Sequence, residues 1–88
     1  MTTISMFYGI NIRMYFDPGE HSPPHFHFYY NEHRATVDIR TCEMLIGELP
    51  KRQAKLVLAW AELHQEELMA NWRLVMNGEE TFKVQPLQ

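Results

Sequence analysis

From Gly9 the chain alternates. Ile10, Ile12, Met14 and Phe16 fall on one parity, Asn11, Arg13 and Tyr15 on the other, and a period of two predicts a strand with one buried face. Asp17-Pro18-Gly19 reads as a turn, and the loop runs through Pro24 because a residue before proline avoids helical angles. Extended structure resumes at His25, where Phe26, Phe28 and Tyr30 alternate with His25, His27 and Tyr29. A third run follows Asn31-Glu32, with Ala35, Val37 and Ile39 on the apolar parity and Arg34, Thr36 and Asp38 on the other.

A two-residue turn at Asn31-Glu32 fixes the register of this hairpin. It places Tyr29 opposite Arg34, His27 opposite Thr36 and His25 opposite Asp38. The two histidines then share a polar sheet face with Tyr29, Arg34, Thr36 and Asp38, which Asn11, Arg13 and Tyr15 extend. Both rings are expected to be accessible there. EMLIGEL is a candidate fourth strand, and Pro50 suits the first position of a helix. Ala54, Val57, Leu58, Ala61, Leu68, Trp72, Val75 and Met76 recur at helical spacing until Asn77-Gly78 supplies a stop.

The pattern predicts an α+β domain spanning 1–88. An antiparallel sheet of three to four strands is followed by a C-terminal helix or kinked helix pair packed on one face. Leu56, Trp60 and Leu63 form a second apolar strip on the first half of the helix. It calls for another neighbour, either a homodimer or partner protein, or the chain's own tail from Phe82 to Leu87. Trp60 and Trp72 are core candidates, and His64, at the edge of the stripe, is a structural one.

Composition narrows the function classes. Eighty-eight residues with 45% hydrophobic content support one small core, so a site belongs on a surface or in a shallow groove. A net charge of −3 excludes the strongly basic footprint of non-specific duplex binding but leaves room for a local basic patch. The lone Cys42 has no disulfide or metal-type partner, which fits a cytoplasmic location. Asn11 and Arg13 interrupt the apolar N-terminal stretch, so neither a signal peptide nor a membrane anchor is expected.

The candidate chemistry lies on the polar sheet face. Three of the five histidines, His21, His25 and His27, fall within seven residues. His25 and His27 could exchange protons on a phosphodiester while Arg13 or Arg34 stabilises phosphate charge, with Asp38 in support. Tyr15 and Tyr29, with Arg34, could hold unpaired bases and their phosphates. The alternative is metal: His25 and His27 project the same way and could share a divalent transition-metal ion with Asp38 or His21. The plain alternative to both is a solvated sheet face. Lys51, Arg52 and Lys55 open the helix with a basic turn that could attract an anion but reads first as a solvated surface.

TISMFYGINIRMYF, HSPPHFHFYY, ATVDI, GELP and WAELHQEEL…NW together resemble a small prokaryotic domain-of-unknown-function family with an H-x-PPHFH signature. Members often carry a glycine in the hairpin turn, where this chain has Asn31-Glu32-His33. The family's genes often lie beside that of another small protein, resembling toxin–antitoxin pairs. The resemblance therefore implies an RNA-directed component of a two-protein module, possible endoribonuclease activity included. A non-catalytic module holding a metal or a partner protein is the other class.

Overall fold

The computed structural model describes residues 2–15 and 23–87. The Asp17-Pro18-Gly19 turn, Phe16 and His21 lie outside the described residues. Five strands, β1 (Thr2–Phe7), β2 (Ile10–Met14), β3 (His25–Tyr30), β4 (His33–Asp38) and β5 (Glu43–Gly47), precede two helices, α1 (Lys51–Leu63) and α2 (Gln65–Met76). The strands form one antiparallel sheet in chain order, β1-β2-β3-β4-β5.

The fold is thus α+β as expected, but with five strands where three to four were expected. The additional strand is β1, and its register explains why the pattern hides it. Thr3 pairs with Arg13 and Ser5 with Ile12, so Ile4 is an extra residue in a bulge. A bulge breaks the period of two: Ile4, Ser5 and Phe7 are all buried. The β1–β2 turn places Tyr8 at φ 48° and Gly9 at φ 76°, positive at both central positions as a type I′ hairpin requires.

The β3–β4 hairpin has the register its turn implied, with Tyr29 opposite Arg34, His27 opposite Thr36 and His25 opposite Asp38. Asn31 takes φ 52°, which asparagine tolerates better than most residues. Ile10, Ile12, Met14, Phe26, Phe28 and Val37 are buried as their parity demands.

The helical stretch is two helices. Pro50 caps α1 from outside, one residue before the helix begins, and α2 ends at Met76 with Gly78 at φ 71° beyond it. His64 separates them with φ −119° and ψ 25°. Its Nδ1 lies 2.7 Å from Glu67 Oε1, while Gln65 Nε2 donates to the carbonyls of Ile39 and Arg40 at 2.9 and 2.8 Å. These bonds pin the break to the β4–β5 connection. Val57, Trp60 and Ala61 of α1 and Leu68 and Val75 of α2 join the sheet's apolar side chains in one core.

Trp60 decides between the neighbours expected for the second apolar strip. It is fully buried among Phe7, Phe26 and His64, and its Nε1–H donates to the carbonyl of Gln85 at 2.8 Å. The chain's own tail is the neighbour. Val84 is buried, and its N–H donates to the carbonyl of Ile4 at 2.8 Å. The Asn71 side chain grips Phe82 in both directions, Nδ2 donating to its carbonyl at 3.0 Å and Oδ1 accepting from its N–H at 2.9 Å. Leu56 is half-buried and Leu63 is exposed, so the three residues make no continuous patch and Trp60 offers no surface to a second copy.

Candidate functional site

The side of the sheet away from the core carries a groove of about 300 Å³. Tyr15, His27, Tyr29 and Arg34 line it from β3, β4 and the end of β2, and Thr36, Ala35, Ile46 and Gly47 complete the β4–β5 side. Pairing of Arg13 with His27 and of His27 with Thr36 brings these residues side by side. Antiparallel partners project to the same face.

The groove is built on rings. Tyr15 stacks on His27 with centroids 4.3 Å apart and planes within 8°. The Arg13 guanidinium sits 4.7 Å from the centroid of the Tyr29 ring, a cation–π placement. Arg13 Nε donates to Asn11 Oδ1 at 3.2 Å, and that oxygen also accepts from the Thr3 hydroxyl at 3.1 Å. The His27 ring is further held by Thr36, whose Oγ1 lies 3.2 Å from its Nδ1. Tyr15, Tyr29 and His27 are half-buried, and Arg34 is exposed. The site thus combines ordered aromatic surface with two guanidinium groups.

His25 departs from the expectation of an accessible ring. It retains 4% exposure. Its ring packs against Trp72 of α2 at 5.0 Å and meets His27 edge-on at 5.1 Å. Nδ1 lies 2.9 Å from the carbonyl oxygen of Pro23; that oxygen can only accept, so Nδ1 carries the proton. Strand parity correctly aligns His25 with His27, but α2 reaches this end of the sheet and covers it. Tyr15, His27, His25 and Trp72 form a continuous column of rings from groove to helix.

Asp38 is also drawn away from the groove. Its Oδ1 accepts from the N–H groups of Arg40 and Thr41 at 2.8 and 3.2 Å, and its carbonyl accepts from Cys42 N–H at 2.8 Å. The carboxylate closes the tight β4–β5 connection, in which Cys42 takes φ 57°. Among the described residues, no group of three or more His, Cys, Asp or Glu side chains is arranged to hold a metal ion. His25, His27 and Asp38 are thus not brought together as such a group, and His21, the remaining ligand of the metal alternative, lies outside the described residues. Cys42 is buried, and its thiol is pushed up from its ordinary value by desolvation, with the charges of Glu62 and Asp38 adding to the effect.

Five of the sequence-selected residues, Arg13, Tyr15, His27, Tyr29 and Arg34, come together. Thr36 as the support of His27 was implicit in the hairpin register. Ile46 and Gly47 were not anticipated as a wall, although a glycine inside a strand signals close backbone approach. Gly47, at φ 95°, lies so near β4 that an added Cβ would stand 2.3 Å from the carbonyl oxygen of Arg34.

The family model described as Domain of unknown function (DUF4160) matches residues 9–73, from the start of β2 into the last turn of α2. The chain belongs to this family. The match takes in every residue lining the groove and all of the ring column. No curated protein and no solved structure matches the chain. Among the described residues, no helix of this DUF4160 protein is long and apolar enough to cross a membrane.

Proposed function

We propose that the groove binds unpaired RNA, and that this DUF4160 chain is the RNA-directed component of a two-protein module. The observation that carries the reading is the pairing of the Tyr15–His27 stack with an arginine-capped Tyr29 around one groove. Bases stack on aromatic faces whatever their sequence, and guanidinium groups receive the phosphates between them. The groove is short, and the net charge of −3 argues against a long electrostatic track. One or two phosphate contacts, through Arg34 and Arg13, match that scale and imply a shallow salt dependence, with a log–log slope of roughly −0.7 to −1.4.

Cleavage is the finer form of this reading. The burial of His25 removes it from direct contact with a substrate; at His27, Nε2 is buried and Nδ1 lies against the Thr36 hydroxyl, so proton exchange with a bound ribose there requires the ring to turn toward the groove. His25 then acts through His27, holding its ring edge-on. With its ring so turned, His27 would take the proton of a ribose 2′-hydroxyl as that oxygen attacks the adjacent phosphorus, the departing 5′-oxygen would take a proton from water, and Arg34 would stabilise the phosphorane charge.

Fluorescence anisotropy with labelled single-stranded and duplex RNA of equal length tests binding. Saturable binding of the single strand and weak binding of the duplex are expected. Tyr29→Ala should weaken single-strand binding on the order of tenfold, since stacking contributes about 1–3 kcal/mol per base. Equal affinity for both forms, or an unchanged Tyr29→Ala variant, would overturn the proposal. Loss of cleavage but not of binding in His27→Ala would support the catalytic form.

A further inference from the structure

The two edges of the sheet are treated differently. Along β1, the tail supplies the missing neighbour: Val84 N–H bonds to Ile4 and Lys83 Nζ donates to the carbonyl of Thr3 at 2.6 Å. The other edge is β5, which pairs with β4 on one side and ends the sheet. Four of its five residues are exposed, and Leu45 and Ile46 retain 44% and 70% of their surface. An edge strand presents unpaired N–H and C=O groups to any extended segment that reaches it.

The charges at this edge select the kind of segment. Glu43 opens the strand and Glu48 follows it, so the apolar run Met44, Leu45, Ile46 lies between two exposed carboxylates. Glu62 of α1 adds negative charge near the first end, close enough to act on Cys42. Arg40 turns away to line a depression with Gln65 and Arg73. A second copy fits poorly: Met44 pairs with Val37 and Ile46 with Thr36, so Leu45 is the extra residue of a bulge, and a two-fold antiparallel pairing about it would set bulge against bulge at the centre of the ladder.

We infer that β5 is a docking edge for an extended segment of a different protein, apolar at its centre and basic at both ends. Backbone hydrogen bonds to β5 supply affinity, and the Glu43 and Glu48 carboxylates set register and select the basic ends. Ile46 belongs both to this edge and to the groove wall. A docked strand therefore lies beside the groove and lengthens its rim. The inference rests on the exposed edge and its charges, and it survives if the groove binds no RNA.

The test uses the full chain and two labelled peptides of alternating valine and threonine, one with lysine at each end and one with glutamate. The lysine-ended peptide should bind, with amide shifts confined to residues 43–48 and their β4 partners, and with a preference on the order of fivefold over the glutamate-ended one. The double variant Glu43→Lys/Glu48→Lys, whose changes are on exposed positions, should reverse that preference while its circular dichroism stays that of wild type. No binding at millimolar peptide, equal binding of both peptides, or shifts outside the edge would overturn the inference. So would self-association of the protein that Ile46→Lys disperses, because that result assigns the edge to a second copy. Binding of the lysine-ended peptide in a Tyr29→Ala variant that has lost RNA would separate the edge from the groove.

Discussion

Replacing Asn71 by alanine should release the tail. Asn71 is fully buried in α2, and its amide makes a two-bond bridge to the backbone of Phe82, at 3.0 and 2.9 Å, much as a neighbouring strand would. Each such bond contributes about 0.5–1.5 kcal/mol net, and truncation strands both backbone groups of Phe82 as well. The expected loss is roughly 2–3 kcal/mol, which for a chain of this size lowers Tm by roughly 10–20 °C. Urea unfolding measures the energy, and hydrogen exchange locates it. The Val84 amide, bonded to Ile4, should lose protection before the β2–β3 amides do, and trypsin should cut faster after Lys83. Trp60→Phe keeps an aromatic ring in the core but removes the donor to Gln85. If both side chains hold one tail, the two substitutions should be non-additive. Asn71→Asp retains the acceptor and buries a carboxyl without its donor, raising that group's folded pKa above its unfolded value. Its deficit relative to wild type should therefore shrink as pH falls toward the carboxylate range and grow as pH rises. An Asn71→Ala protein within about 0.5 kcal/mol of wild type, or one whose tail amides stay protected, would refute this account of the tail.

Gly47→Ala should destabilise the chain by at least about 2 kcal/mol in urea unfolding, because the added Cβ meets the Arg34 carbonyl and Ala35 Cα at 2.3 and 2.7 Å at a φ of 95°; wild-type stability would contradict the close approach of β5 to β4. The raised Cys42 pKa places a stabilising contribution below the unfolded thiol value and removes it as pH rises through the folded value. Stability should thus fall above about pH 9 by more in wild type than in Cys42→Ala, and thiol labelling of the folded protein should be slow at pH 8. Arg13→Gln removes the cation over Tyr29 and should cost about 0.5–1 kcal/mol of stability, together with a shallower salt dependence of RNA binding; an unchanged salt slope would remove Arg13 from the phosphate contacts.

Much of the sheet was legible because its parity is clean. Phe26, Phe28, Ala35 and Val37 point to the core, and a two-residue turn leaves one register for Tyr29, His27 and Thr36. Parity failed where the backbone departs from period two, at the Ile4 bulge of β1. It also gives the face of a side chain without giving what lies over that face. His25 sits on the same side as His27, yet Trp72 covers only His25. Asp38 was correctly placed opposite His25, but its oxygen serves the turn at Arg40 and Thr41, a local competition that strand alternation does not register. The tail was named as one neighbour for Trp60 but could not be chosen over a second chain. Its attachment runs through side-chain bonds from Asn71 and Trp60 to backbone atoms, with Val84 the buried apolar anchor, and these leave little periodic trace.

Recognition of unpaired RNA by the groove face can be read residue by residue in a chemical-shift map. A single-stranded oligoribonucleotide titrated into isotope-labelled protein should shift the ring resonances of Tyr15, His27 and Tyr29 and the amides around Arg34, Thr36 and Ile46. The β1 edge and the exposed basic turn at Lys51, Arg52 and Lys55 should stay still. Tyr29→Ala should move those shifts to roughly tenfold higher RNA concentration without altering the His25–Trp72 contact. Shifts centred on Lys51, Arg52 and Lys55, or a groove that remains silent at saturating RNA, would contradict the claim.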